Sequence, residues 1–139
     1  FRSVVGLITG TVGCFGGMSI AAGLCSYLVV TKEARLGLNG PQVIEQEAGV
    51  TEYDSKDKPF IWSMTGGEIR YETGFADELA VDDVDAVRTA IAKCFAQGIP
   101  ESFRTDRVGF YLPRLAGFDA SLQVFPEITK ALFSQGDRK

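Results

Sequence analysis

Val4-Val5-Gly6-Leu7-Ile8-Thr9-Gly10-Thr11-Val12-Gly13-Cys14-Phe15-Gly16-Gly17-Met18 is the stretch whose reading decides the fold. Its first part is a short apolar run that predicts a buried β-strand over Ser3–Thr9, and the glycines from Gly10 to Gly17 break that run into a turn. A helix is expected over Gly17–Ser26, with its N-terminus at the glycine turn, and a second buried strand over Tyr27–Val30. A strand–turn–helix–strand unit covered on all sides carries no charge, and none occurs between Arg2 and Lys32. A run of that length also suffices to cross a bilayer, and Gly6, Gly10, Gly13 and Gly17 include the small-residue spacing of membrane helix pairs. The glycine cluster interrupts the run and favours the soluble reading.

Working outward, Arg35–Leu38 reads as a short strand. Pro41 suits the first turn of a helix that includes Val43, Ile44 and Gln46. Asp54–Pro59 reads as a polar loop, Phe60–Thr65 as a helical turn stopped by Gly66-Gly67, and Ile69–Glu72 as another ended by Gly74. Ala76–Val81 is strand-like. Val84, Val87, Ile91 and Cys94 or Phe95 recur at helical spacing, which predicts an amphipathic helix over Asp82–Phe95. Asp82 and Asp83 suit its N-terminus. After Gly98-Ile99-Pro100 the pattern changes. Glu101–Phe118 is mixed, Asp119–Phe133 has helical spacing that Pro126 would cut or kink, and the polar tail Gln135–Lys139 is expected to be disordered. Residues 1–98 thus read as one unit and 99–139 as a helical or irregular C-terminal extension.

The chain has 139 residues, 45% hydrophobic and 23% charged, which is ordinary for one globular domain. A net charge of −4 with scattered basic residues offers no footprint for nucleic acid. There is no histidine, which excludes any mechanism in which this chain supplies a His base, and any His-ligated metal. The three cysteines, Cys14, Cys25 and Cys94, lack CxxC spacing, so no metal site and no disulfide framework is expected. Reduced thiols in a cytoplasmic protein are the simpler reading. The apolar run after Arg2 has no convincing signal-peptide cleavage pattern. A first residue that is Phe1 and not Met suggests a piece of a longer polypeptide.

A glycine turn feeding a helix lets the backbone approach a ligand closely. The helix start adds unpaired N–H groups and a partial positive charge. Such a place can hold a phosphate or a developing oxyanion. No Gly-Lys-Ser/Thr follows, and the spacing is not GxGxxG, so phosphate is disfavoured. The plainer reading is a tight turn with close helix–strand packing.

The same segment, Val4 to Gly10 followed by Phe15-Gly16-Gly17-Met18-Ser19-Ile20-Ala21, is similar to the core of the crotonase superfamily. Leu36-Gly37-Leu38-Asn39-Gly40-Pro41-Gln42-Val43-Ile44-Glu45-Gln46 resembles the Gly-Pro-x-Val-Ile-Glu-Gln signature of acyl-CoA carboxyltransferase and malonate decarboxylase subunits. Gly74-Phe75-Ala76-Asp77 resembles a later Gly-x-x-Asp element of that superfamily. The wording of Gly13 to Met18, Asn39-Gly40-Pro41 and Glu45 to Gly49 most resembles the malonate decarboxylase beta subunits, over about Val4 to Gln97. The resemblance implies an α/β fold of the ClpP/crotonase spiral type, present here as a C-terminal part.

It further implies a catalytic role for the backbone N–H of Gly17, or of its neighbours Gly16 or Met18, as a donor to the oxygen of a thioester enolate. Cys14, Phe15, Asn39, Gly40 and Pro41 would line the substrate. The crotonase pattern needs a second donor from an earlier turn that this chain does not contain. Ile20 and Gln42 fall where the hydratases carry their two catalytic glutamates, so hydration lacks its acid–base pair. Decarboxylation and carboxyl transfer need no base to begin. The implied reaction is decarboxylation of a malonyl thioester on an acyl carrier protein, with a gamma decarboxylase subunit as partner. The prosthetic arm, derived from dephospho-CoA, would sit on the carrier, and no cofactor would bind this chain directly. The alternatives are the beta part of a biotin-dependent carboxyltransferase, with biotin as cofactor, and a non-catalytic structural subunit.

Other residues have plainer readings beside sharper ones. Glu45-Gln46-Glu47 can be carboxylates at a site or a helix face. Cys14 can be a nucleophile near a helix start or a small packing residue. Cys25 and Cys94 read as core. Phe60, Trp62 and Met64 can line an acyl pocket or fill a core or an interface. Tyr53 and Tyr71 are possible proton donors with no positional support. Arg104, Arg107 and Arg114 can meet a phosphorylated carrier arm or form a solvated face.

Overall fold

The computed structural model describes residues 2–116, 119 and 126–133. Three parallel strands lie in the order β1 (Val5–Ile8), β2 (Tyr27–Thr31) and β3 (Glu78–Ala80). Between β1 and β2 runs α1 (Gly17–Leu24), and between β2 and β3 come α2 (Pro41–Ala48), α3 (Lys58–Thr65) and α4 (Gly67–Glu72). The chain continues through α5 (Val84–Ala96), a 3-10 turn at Arg104–Asp106, α6 (Val108–Ala116) and α7 (Pro126–Phe133). This is a mixed α/β fold built on a small parallel sheet.

The central strand is buried from end to end. Alternation along it feeds two apolar clusters. Leu28 and Val30 pack with Ile8, Ala34, Leu36 and Ala76 on one face. Tyr27 and Val29 pack with Ala80 and Cys94 on the other, where Val87 and Ile91 of α5 close over them. Each fully buried Leu or Val contributes about 1.5–3 kcal/mol, and β2 is the most completely buried of the three strands. β1 has one strand neighbour among the described residues. Among the described residues no helix is long and apolar enough to cross a membrane.

Several boundaries differ from the sequence reading. Arg35–Leu38 is not a strand of the sheet. Its residues make single bridges, Cys14 with Leu36 and Arg35 with Gly66. The helix expected from Phe60 begins at Lys58 because the Asp57 carboxylate caps it, accepting from the Phe60 amide at 3.2 Å. Gly66 ends α3 and also begins α4, so Gly66-Gly67 is a junction of two helices and not a stop. Asp83 caps α5 as its composition suggested, accepting from the Asp85 and Ala86 amides at 3.1 and 3.0 Å. Within Glu101–Phe118, read as mixed, lies α6 with Pro113 inside it. Pro126 opens α7, where a missing N–H costs nothing, in keeping with a cut at that position, and residues 120–125 lie outside the described ones. The tail Gln135–Lys139 lies outside the described residues.

Asp77 ties the second half of this unit to the first. Its amide donates to the Leu28 carbonyl at 2.8 Å, and its carboxylate accepts from the Leu28 amide at 2.8 Å. The same carboxylate pairs with Arg104, whose side chain is 5% exposed. Arg104 also donates to the carbonyls of Phe75 at 2.7 Å and Cys25 at 2.6 Å. Arg104 is therefore neither a solvated face nor a free phosphate ligand. It is a clamp between the end of α1 and the approach to β3. Arg107 donates to the Gly74 carbonyl at 2.8 Å, and Arg114 to that of Phe110 at 2.7 Å.

The seat of α4 on β2 leaves no room for a side chain at its first residue. A Cβ on Gly67 would stand 1.9 Å from the Thr31 carbonyl oxygen. Gly67→Ala is expected to destabilise the protein by about 3 kcal/mol in denaturant unfolding. Gly109→Ala, in α6 with nothing within 4 Å of the added carbon, should raise stability by about 0.5–1 kcal/mol. Equal effects at the two positions would contradict the tight seating of α4.

Candidate functional site

The glycine turn is held in place by its own backbone. The Cys14 amide donates to the Arg35 carbonyl at 2.8 Å, the Gly37 amide to the Cys14 carbonyl at 3.2 Å, and the Gly16 amide to the Leu38 carbonyl at 2.7 Å. Segments 14–16 and 35–38 thus run side by side as a short parallel ladder outside the sheet. Thr65 anchors the second segment from the far side, its carbonyl accepting from the Leu36 amide at 2.8 Å. Arg35 secures the loop before the ladder. Its Nε and Nη2 donate to the Thr11 carbonyl at 3.0 and 2.7 Å, and Nη2 to that of Val12 at 2.8 Å. The guanidinium stands over the rings of Phe15 and Trp62, 5.5 and 4.6 Å from their centroids. Trp62 in turn donates its indole N–H to the Glu33 carbonyl at 3.0 Å.

This ladder brings together the two sequence motifs that lie farthest apart in the candidate site. Gly16, Gly17 and Met18 begin α1. Leu38, which accepts from Gly16, is followed directly by Asn39, Gly40 and Pro41, where Gly40 caps α2 and Pro41 occupies its first turn. Gly16 has φ 67° and ψ −141°, a conformation open to glycine and strained for other residues. That geometry lets the chain leave the ladder and enter α1 at once. The Gly16 carbonyl accepts from the Ser19 amide at 3.0 Å and the Ser19 hydroxyl at 2.6 Å.

The donors sort themselves accordingly. The Gly16 N–H, a candidate oxyanion donor on sequence grounds, is committed to Leu38 and unavailable to a ligand. Among the described residues no acceptor takes the N–H of Gly17 or of Met18. Both residues are exposed, and a Cβ on Gly17 would meet nothing within 4 Å. Open N–H groups at the first turn of α1 are suited to negative charge. Beside them lies a cavity of about 440 Å³ lined by Ser19 and Ile20 of α1 and by Leu36 and Gly37 of the ladder.

The remaining candidates fall into supporting positions. Cys14 packs against the apolar cluster on the α1 side of the sheet, and burial pushes its thiol pKa up, which works against a nucleophilic role. Phe15 lies under Arg35, with its ring near Gly37. Glu45 accepts from the Ser55 amide at 2.7 Å, and that bond lowers its carboxyl pKa. Tyr53 is buried with its ring edge-on to Phe60, 5.2 Å between centroids. Cys94 is core, and all three cysteines are free. Among the described residues no group of His, Cys, Asp and Glu is placed to hold a metal. Sequence reasoning missed Arg35 and Arg70, which reaches the same region from α4. Neither belongs to a local motif, and their partners are distant in sequence.

Removal of the Arg35 clamp should loosen the turn selectively. In Arg35→Met, amide exchange at Cys14 and Gly16 is expected to accelerate by roughly tenfold or more, with Val30 in β2 unchanged. Unaltered protection at Cys14 and Gly16 would show that the ladder holds without Arg35.

No family model matches the chain. Among proteins of known function it is 35% identical over 106 residues to the malonyl-S-ACP:biotin-protein carboxyltransferase of Malonomonas rubra, covering 76% of this chain and 33% of that one. Its fold superposes on a chain of the Pseudomonas malonate decarboxylase hetero-tetramer, crystallised with malonate, with a TM-score of 0.90 and 57% identity. That match covers 96% of this chain and 48% of the other. The Pseudomonas MdcD–MdcE hetero-dimer gives 0.70 and 53%, covering 84% of this chain and 46% of that one. Transcarboxylase 12S gives 0.52 and 29%, over 66% of this chain and 16% of that one. The chain spans about half the length of the malonate decarboxylase chains it matches and a third of the carboxyltransferase. At this level of identity and superposition, the chain belongs to the malonate decarboxylase subunit family.

Proposed function

We infer that this chain is the C-terminal part of a beta-type subunit that decarboxylates a malonyl thioester carried on an acyl carrier protein. The observation that carries the reading is the pair of N–H groups, Gly17 and Met18, that have no acceptor among the described residues and sit on a turn fixed by the ladder. The similarity to the Pseudomonas enzyme supports it. Residues 1–98 would form part of a crotonase-type spiral and residues 99–139 its extension.

The chemistry asks little of side chains. Cleavage of the bond between the carboxylate carbon and the α-carbon releases CO2 and leaves the electron pair on the α-carbon. That pair delocalises onto the thioester oxygen as an enolate, and protonation of the α-carbon gives the acetyl thioester. Donors aimed at that oxygen lower the barrier because charge arrives there in the transition state. Gly17 and Met18 would supply this half of the donor set. Phe15, Asn39, Gly40 and Pro41 would shape the approach. Ile20, on the cavity wall where a hydratase has a glutamate, offers no base that could direct water to the substrate. Exposed Met18, Ile20 and Leu24 on α1 are apolar surface that the rest of the subunit or a gamma partner would cover. The carrier's arm, derived from dephospho-CoA, would deliver the acyl group. Three free cysteines fit a reducing compartment such as the cytoplasm.

A second reading is favoured by the Malonomonas relative, whose name gives a biotin protein as carboxyl acceptor. The enolate site is common to both readings, and only the fate of the carboxyl group differs.

Proline at Gly17 deletes one N–H. Position 17 is the first of α1 and has no positive φ, so the helix accepts the ring. In the assembled enzyme, Gly17→Pro is expected to lower the rate of CO2 release from malonyl-carrier by about 10²–10³-fold. Wild-type release should persist when avidin is added to sequester biotin. An unchanged rate in a folded Gly17→Pro complex would favour the structural-subunit reading, and loss of release with avidin would favour carboxyl transfer to biotin.

A further inference from the structure

The cavity beside α1 is walled largely by carbon, from Ile20, Leu24, Leu36, Leu38 and Phe75. Two guanidinium groups, Arg70 and Arg104, bring charge to it. They are used differently. Arg104 is neutralised by Asp77, and its donors are directed to that carboxylate and to the carbonyls of Phe75, Gly23 and Cys25. Arg70 directs Nε to the Leu36 carbonyl at 2.8 Å. Among the described residues no other hydrogen bond and no ion pair engages its two Nη groups. The titratable groups that face it are the phenols of Tyr53 and Tyr111, uncharged at neutral pH.

Arg70 is also rigidly placed. It lies on α4, whose first residue is jammed against the Thr31 carbonyl, and its own carbonyl accepts from the Ala76 amide at 2.9 Å. Burial pushes its pKa down, yet a guanidinium remains protonated in a protein. The fold thus keeps a partly desolvated cation on a cavity wall, and among the described residues no ion pair balances it. An uncompensated buried charge is costly, and its forked donor pair matches a carboxylate's two oxygens.

The geometry points to Arg70 as the receptor for the free carboxylate of the acyl thioester, with its two Nη groups donating to the two carboxylate oxygens. This rests on the reading that the acyl group reaches the head of α1, since Ser19 and Ile20, which follow Gly17 and Met18, line the same cavity. A cation on the carboxylate holds charge that must leave for the thioester oxygen as CO2 departs. Arg70 therefore serves to select a diacid over a monoacid thioester, and rate enhancement belongs to the N–H donors.

The test uses the assembled complex and two pantetheine thioesters of equal chain length, succinyl and butyryl. One ends in a carboxylate, and neither is set up to lose CO2. Calorimetric titration should show that the wild type prefers succinyl. Arg70→Met should weaken succinyl binding by about tenfold or more and leave butyryl unchanged. Arg70→Lys keeps the charge without the fork, should retain an intermediate preference, and stands in if the methionine variant misfolds. Equal weakening of both thioesters would mark Arg70 as a packing residue, and no preference in the wild type, or none lost in either variant, would likewise overturn the inference. No turnover is read, so a complex that fails to release CO2 yet shows an Arg70-dependent preference would overturn the decarboxylase reading alone.

Discussion

The short backbone ladder between residues 14–16 and 35–38 is the constraint on which the site depends. A glycine turn by itself is a mobile loop. Here three amide–carbonyl bonds and one guanidinium fix it against a segment anchored by Thr65. A hydrogen bond adds only about 1 kcal/mol net, so no single contact suffices, and it is their convergence on one turn that makes the geometry definite. The bond from Gly16 to Leu38 has a second effect. By occupying the Gly16 amide it leaves those of Gly17 and Met18, one step farther into α1, as the ones without an acceptor among the described residues.

Preorganisation of this kind suits a reaction in which charge moves from carboxylate to thioester oxygen. Fixed donors need no rearrangement when the charge arrives. The neighbouring surface has a matching chemical division. Leu36, Leu38, Ile20 and Leu24 provide an apolar wall, and Arg70 brings to it a charge that no ion pair balances among the described residues. Cys14, Glu45 and Arg104, which carry the side-chain chemistry most visible in the sequence, are instead used to hold the frame.

Much of the frame was legible. β2, the glycine turn, the Pro41 helix start and the amphipathic α5 with its Asp83 cap all depend on local pattern, and local pattern is what a sequence displays. What was not legible depends on partners far along the chain. Arg35–Leu38 alternates like a strand, but its partner is a turn and not the sheet. Arg104 looks like a surface cation until Asp77, 27 residues earlier in the chain, is seen to neutralise it. Pro113 disguises α6. At the site, the motif around Gly16-Gly17 was recognisable, but the choice among three adjacent amides turned on one hydrogen bond to Leu38. Arg70 carries no local signal at all.

The most direct measurement is a crystal structure of the complete complex with an acyl thioester bound. The thioester oxygen is expected within about 2.7–3.1 Å of the Gly17 or Met18 N–H, with the Gly16 amide still bonded to Leu38. A carbonyl oxygen held elsewhere, or a Gly16 amide released from Leu38 to bind it, would contradict the account.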